Sequence, residues 1–275
     1  MVSLATYNDG KGSASTVEST RSASAIHLYL DLLKASLTNT LFASEPDVDA
    51  KNQLRYFDDF IRHYIEGIAI SMCPVSRLRN LESCIVDVIE RGTQGDLIET
   101  GVWRGGATIF MRAVLRAYGI EDKTVWVADS FEGLPKPDAE KFPLEADTHN
   151  SKAMKTVYKH FAVSLEDVQR NFRAYGLLDE QVRFLKGWFK DTLPGAPIKA
   201  LSIMRLDGDY YESTMDALTN LYDKLSVGGY AIIDDYGEDS WTYCRMAVDE
   251  FRRERGIEDP MIRVDSKCYY WQRSR

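Results

Sequence analysis

Twelve residues constrain this chain more than any others: Asp96-Leu97-Ile98-Glu99-Thr100-Gly101-Val102-Trp103-Arg104-Gly105-Gly106-Ala107. They read as a buried strand ending in an acid, a glycine turn and the start of a helix. Gly101 permits a tight bend and lets a ligand approach the backbone. Gly105 and Gly106 open a helix whose first N–H groups lack partners within it. The pattern places a nucleotide-type site at the carboxyl end of a first parallel strand. A dinucleotide fingerprint needs G-x-G-x-x-G with an acid about 20 residues later. Here the glycines read G-x-x-x-G-G and an acid, Glu99, precedes them. That spacing suits S-adenosylmethionine better, because an acid can sit near its ammonium group.

From Asp96 the chain alternates strand and helix. Strands are expected at Leu97–Glu99, Thr124–Asp129, Val182–Lys186, Leu201–Leu206 and Tyr230–Asp234, the last entered through a turn at Gly228-Gly229. Helices are expected at Gly106–Tyr118, from a capping box at Ser164-Leu165-Glu166-Asp167 to Tyr175, at Tyr211–Leu225 and at Trp241–Arg255. Met261–Val264 and Lys267–Trp271, joined at Asp265-Ser266, read as an antiparallel hairpin. Repeated β-α order predicts an α/β fold, a parallel sheet with right-handed crossovers. Between Phe131 and Ala162, with Pro135, Pro137 and Pro143, periodicity is weak. So long an irregular stretch inside a compact domain reads as a functional lid or as disorder.

Ahead of the core, residues 1–24 are rich in Ser, Thr, Ala and Gly and read as a disordered tail. Leu28, Leu32, Leu33, Leu37 and Leu41 then mark a helix. Tyr56, Phe57, Phe60, Ile61, Tyr64, Ile65 and Ile68 mark a second, and Leu78, Leu81, Ile85, Val88 and Ile89 a third, stopped by Gly92. Residues 25–275 are thus expected to form one domain, a helical extension over 25–95 and a core over 96–275 with its lid at about 131–162. The extra helices favour a homo-oligomer.

Four strands end in acids: Glu99, Asp129, Asp207, and Asp234 with Asp235. Ligands of open α/β sheets bind outside those carboxyl ends. Five converging acids repel one another and any phosphate, which weighs against NAD and ATP. A cation must offset them, or some must hold protons. A sulfonium cofactor and a divalent metal both serve. Asp129 is placed either to accept from ribose hydroxyls or to cap its own loop. Gly187-Trp188-Phe189 either flanks an adenine or is aromatic core. Asp207, Asp234 and Asp235, with no nearby Cys or His, suit Mg, Mn or Ca, the alternative being ordinary turn aspartates. Asp209 reads as a turn or helix-cap residue. His27 and His63 read as surface or packing residues, and His149 in the lid is a candidate for touching substrate.

Composition narrows the partners. A net charge of −8 disfavours nucleic acid. No run approaches the roughly 18 apolar residues of a membrane span, and the N-terminus lacks the apolar core of a signal peptide. Cys73, Cys84, Cys244 and Cys268 show no C-x-x-C pairing, which argues against zinc or a disulfide framework and fits a cytoplasmic protein.

The stretches I-E-T-G-V-W-R-G-G-A, V-W-V-A-D-S-F-E-G, G-W-F-K-D-T-L-P, R-L-D-G-D-Y-Y and I-I-D-D-Y resemble the macrocin O-methyltransferase family, whose members methylate sugar hydroxyls on macrolide and aminocoumarin antibiotics. The resemblance runs from about His27 to the C-terminus. It implies the seven-stranded, Rossmann-like class I methyltransferase fold, S-adenosylmethionine as donor and a required Mg2+. By matching motifs it implies Asp207, Asp234 and Asp235 as metal ligands and Asp207 as general base. Cofactor contacts would fall on Glu99, Thr100, Gly101, Asp129, Ser130 and Phe131, with Trp188 near the adenine and Met72 lining the reaction site. The expected activity is O-methylation of a sugar hydroxyl on a small-molecule glycoside. A metal-dependent methyltransferase of catechol-type phenols and a non-catalytic nucleoside-binding partner are the alternatives.

Overall fold

The structure is a computed structural model that describes residues 13–47, 58–237 and 242–275. Five strands pair in parallel: β1 (Asp96–Thr100), β2 (Val125–Asp129), β3 (Val182–Lys186), β4 (Leu201–Leu206) and β5 (Leu225–Ile233). Two short strands, β6 (Ile262–Arg263) and β7 (Tyr269–Gln272), finish the sheet antiparallel, as the hairpin pattern predicts. The order is β3-β2-β1-β4-β5-β7-β6. The chain leaves β1 toward one side of the sheet and later crosses to the other through β4. Loops after β1 and β4 therefore diverge, which opens a crevice at their carboxyl ends.

Nine α-helices are described: α1 (Ser13–Leu37), α2 (Val75–Glu90), α3 (Gly106–Ala117), α4 (Pro143–Asn150), α5 (Lys152–Tyr158), α6 (Leu165–Ala174), α7 (Phe189–Thr192), α8 (Tyr211–Leu221) and α9 (Thr242–Arg255). The central strands are buried and largely apolar because helices cover both faces, Glu99 of β1 and Arg205 of β4 being the buried charged exceptions. One face packs α1, α2, α3 and α6 through Leu30, Leu33, Leu81, Ile85, Phe110 and Phe172. The other packs α8 and α9 through Leu218, Leu221, Val248 and Phe251, with Trp271 of β7 buried among them. Ser164 caps α6 as its sequence predicts, accepting from the Asp167 N–H at 3.1 Å. All four cysteines are buried free thiols. No helix among the described residues is long and apolar enough to cross a membrane.

Several sequence expectations shift. α1 reaches back to Ser13, into the stretch expected to be disordered; residues 1–12 lie outside the described residues. Its core-facing leucines are Leu30, Leu33 and Leu37, while Leu28 and Leu32 are exposed. Leucines surround this helix, so periodicity alone leaves the phase open. Of the second predicted helix only a π-type turn, Ile61–Ile65, follows the helical residues 58–60, and Ile68 is exposed; Tyr56 and Phe57 lie outside the described residues. The lid contains α4 and α5 rather than irregular chain. Gly228-Gly229 lies inside β5 rather than before it. A Cβ on Gly229 would meet the Ser202 carbonyl oxygen at 2.8 Å, so this glycine serves close strand approach.

Gly101 follows β1 at φ +83, and a Cβ there would lie 1.8 Å from the Asp207 carbonyl oxygen. The first residues past β1 and β4 are in backbone contact here, before the two loops part. Gly101→Ala is expected to lose more than about 3 kcal/mol of stability, the left-handed strain adding to a backbone clash. Denaturant unfolding within about 1 kcal/mol of the parent would contradict that contact.

Candidate active site

The crevice after β1 and β4 is a cavity of about 920 Å³. That is near the top of the usual range for small-molecule sites and leaves room for two ligands. Gly101, Trp103, Asp129, Ser130 and Trp188 line it together with Asp207, Asp209, Asp234 and Asp235. Phe60, Tyr64 and Met72, packed together, add an apolar part of the lining, as do Met154, Val157 and Phe161 of the lid region.

Ligand oxygens of Asp207, Asp234 and Asp235 lie within 4.8 Å of one another. β4 and β5 are adjacent and parallel, so residues just past their ends converge. The sequence leaves the acids to be offset by a cation or by protons of their own. The structure supplies much of that positive charge from the chain. Arg205 of β4 is fully buried. Its Nη1 donates to Glu99 at 2.5 Å and to Asp207 Oδ2 at 3.1 Å, and its Nη2 to Asp234 Oδ1 at 2.5 Å. Arg77 of α2 donates to Asp234 Oδ2 at 2.7 Å and in bidentate fashion to Asp265, at 2.6 and 3.1 Å. Neither arginine was singled out as a site residue from the sequence. A signal existed for Arg205, a charge inside an otherwise apolar strand two residues before Asp207. None existed for Arg77, whose contacts are all distant in sequence.

The balance remains negative, with five carboxylates (Glu99, Asp207, Asp234, Asp235, Asp265) around two guanidiniums. Burial pushes Asp234 up, but Arg205 and Arg77 outweigh it and hold its carboxyl below the ordinary value. Burial, then repulsion from Asp234, raises Asp207 well above the ordinary carboxylate range. Burial, with Asp209 and Asp234 beside it, raises Asp235 to about 8. Oδ2 of Asp235 is buried without a hydrogen-bond partner among the described residues. A compact all-oxygen donor set with surplus negative charge fits a hard divalent cation such as Mg2+.

The predicted cofactor residues divide. Gly101, Asp129, Ser130, Trp188 and Met72 line the cavity; Glu99, Thr100 and Phe131 lie behind its wall. Asp129 accepts at 2.7 Å from the Phe131 N–H in its own loop, as the capping alternative expects, and at 2.7 Å from the Val102 N–H in the loop after β1. Phe131 adopts φ +57 and packs inward near Phe184. Burial lifts Glu99 to about 7 against the pull of Arg205. Asp209 is a turn residue at φ +56, but it is not the helix cap. The Tyr211 N–H at the start of α8 is instead met by Glu145 of lid helix α4, at 2.9 Å. His149 is not part of the cavity wall; its Nδ1 lies 2.8 Å from the Tyr210 hydroxyl. With Phe142 stacked on Tyr211, centroids 4.6 Å apart, the lid docks beside the Asp207 loop. His63 is buried, its Nε2 2.7 Å from the Thr38 carbonyl, a packing role.

Residues 64–273 match the family model described as macrocin-O-methyltransferase (TylF). The chain is similar to the mycinamicin III 3''-O-methyltransferase of Micromonospora griseorubida, 45% identical over 255 residues that cover 92% of this chain and 98% of that protein. It is similar to the 8-demethyl-8-(2,3-dimethoxy-alpha-L-rhamnosyl)-tetracenomycin-C 4'-O-methyltransferase of Streptomyces olivaceus, 47% identical over 258 residues covering 89% of this chain and 92% of that one. The solved structure of the O-methyltransferase NovP is 46% identical, with a TM-score of 0.79 over 91% of this chain and 100% of that one.

Proposed function

Because the chain belongs to the macrocin O-methyltransferase family, we propose that it methylates a sugar hydroxyl on a glycosylated natural product, with S-adenosylmethionine as donor and Mg2+ held by Asp207, Asp234 and Asp235. The O-methyltransferase activity follows from the family and fold. The sugar acceptor is supported by relatives named for methylating mycinamicin III and a rhamnosyl-tetracenomycin. The observation that carries the metal is the trio of carboxylate oxygens within 4.8 Å of one another in the lining of the cavity.

When bound, S-adenosylmethionine supplies an electrophilic methyl group and Mg2+ supplies Lewis acidity. The chain's residues supply alignment and proton removal. A sugar hydroxyl is a weak nucleophile, and holding two reactants in line is worth roughly 7–11 kcal/mol. In this reading the donor is held by the Gly101 loop and Trp188, and an aglycone packs on the apolar lining residues Phe60, Tyr64 and Met72; that all five residues line one cavity supports it. Asp207 is the general base. Its side chain keeps about 30% of its surface exposed toward the cavity, whereas Asp234, at 9%, is clamped by two arginines. A carboxylate that also holds Mg2+ is a weaker base, so the hydroxyl proton goes to the non-coordinating oxygen of Asp207, a role worth about 10²–10⁴-fold.

The test is methyl transfer by the purified protein to a panel of glycosylated macrolides and aminocoumarins, with a catechol as control. EDTA is expected to stop turnover and added Mg2+ to restore it. Full activity in metal-free buffer would remove the metal, and turnover of the catechol without the glycosides would favour the phenol alternative.

A further inference from the structure

The geometry points to Trp103 and Arg104 as positioning residues that tether the acceptor wall and the lid's end to the cofactor loop, so that filling the loop orders both. This rests on the cofactor reading above. Trp103 sits at φ +48, a left-handed conformation that a bulky residue holds only when its surroundings impose it. Three sets of contacts impose it here.

The first set reaches the lid. The Trp103 indole N–H donates to the His160 carbonyl at 2.9 Å, just past α5. The second is a small apolar cluster apart from the two main cores. It joins Trp103 to Tyr64 and Ala69, with Phe60, Met72 and Val163 packed against them. Cofactor loop, acceptor wall and lid end therefore share one satellite core.

The third set is made by Arg104. Its guanidinium lies 4.1 Å over the Trp103 ring. Its Nη1 donates to the carbonyls of Ala69, Gly67 and Tyr64 at 2.6, 3.3 and 3.4 Å, and its Nη2 to that of Ile65 at 3.4 Å. The end of the π-type turn has carbonyls without helical partners, and a forked cation satisfies several at once. Burial lowers the Arg104 pKa. The loop is fixed from behind by Asn171, which donates to the Arg104 carbonyl at 2.9 Å, and by Asp129, which accepts from Val102. Gly106 completes the tether, since a Cβ there would lie 2.4 Å from the Ser71 Cβ.

Hydrogen exchange on the full chain, with and without S-adenosylhomocysteine, reads this tether without needing the acceptor. In the parent, the nucleoside is expected to slow exchange at least about fivefold in both 61–72 and 158–163. Arg104→Lys keeps the charge but lacks the fork. It is expected to bind S-adenosylhomocysteine within about threefold of the parent, lose the protection of 61–72 and keep that of 158–163. Trp103→Phe is expected to lose protection of 158–163. If the parent binds the nucleoside and 61–72 does not respond, the tether is overturned while the cofactor reading stands. The same holds if Arg104→Lys shows the parental pattern. If the parent binds no nucleoside, both fall.

Discussion

Replacing Asp207 by asparagine is expected to remove turnover while S-adenosylmethionine still binds. The amide matches the carboxylate in shape, so the meeting of Gly101 with the Asp207 backbone carbonyl is untouched. What disappears is the carboxylate proposed as base and as metal ligand. Losing the base alone predicts a fall in kcat of about 10²–10⁴-fold at saturating substrates. Stability should move the other way. Burial and the neighbouring Asp234 disfavour the Asp207 charge, so a neutral side chain relieves repulsion. An inactive variant at least as stable as the parent, with S-adenosylhomocysteine affinity within about threefold by calorimetry, is the signature of a residue kept for chemistry rather than for the fold. Parental kcat in Asp207→Asn would take this residue out of the mechanism.

The acids were legible because their signal is local and the topology does the rest. An apolar run that ends in Asp or Glu, repeated in β-α order, forces the strand ends to one rim, where Asp207, Asp234 and Asp235 meet. The arginines were not legible as counter-ions. Glu99 and Arg205 are directly opposed in neighbouring strands, and Asp234 follows the strand on the other side. That adjacency exists only once the order β1-β4-β5 is known. Arg77 reaches Asp234 from a helix 157 positions earlier. Counting the acids as bare charges therefore overstates the deficit: two internal cations cover part of it, and burial with mutual repulsion raises the proton affinity of Glu99, Asp207 and Asp235. The lid was read as irregular for a related reason. α4 is short and weakly patterned, and it is held by Glu145 and Phe142 docking on the start of α8, contacts that no local spacing encodes.

Arg205→Leu is expected to be the most destabilising single change at this site. The guanidinium is 2% exposed and bonds three carboxylates, two of them nearly as buried. Removing one partner of a buried ion cluster leaves uncompensated charge and costs about 3–5 kcal/mol. For a domain of this size that lowers the melting temperature by roughly 10 °C. Arg205→Lys should fall between, since one ammonium cannot serve Glu99, Asp207 and Asp234 together. The loss should also be partly reversible from the acid side. Adding Glu99→Gln to Arg205→Leu removes the carboxylate left most isolated, so the double variant should recover at least about 1 kcal/mol over Arg205→Leu alone, a coupling that a double-mutant cycle reads directly. Mg2+ should stabilise Arg205→Leu more than the parent, because a bound cation then supplies charge that the arginine no longer does. Stability within about 1 kcal/mol of the parent, or additive effects in the cycle, would mean that the cluster is held by something other than Arg205.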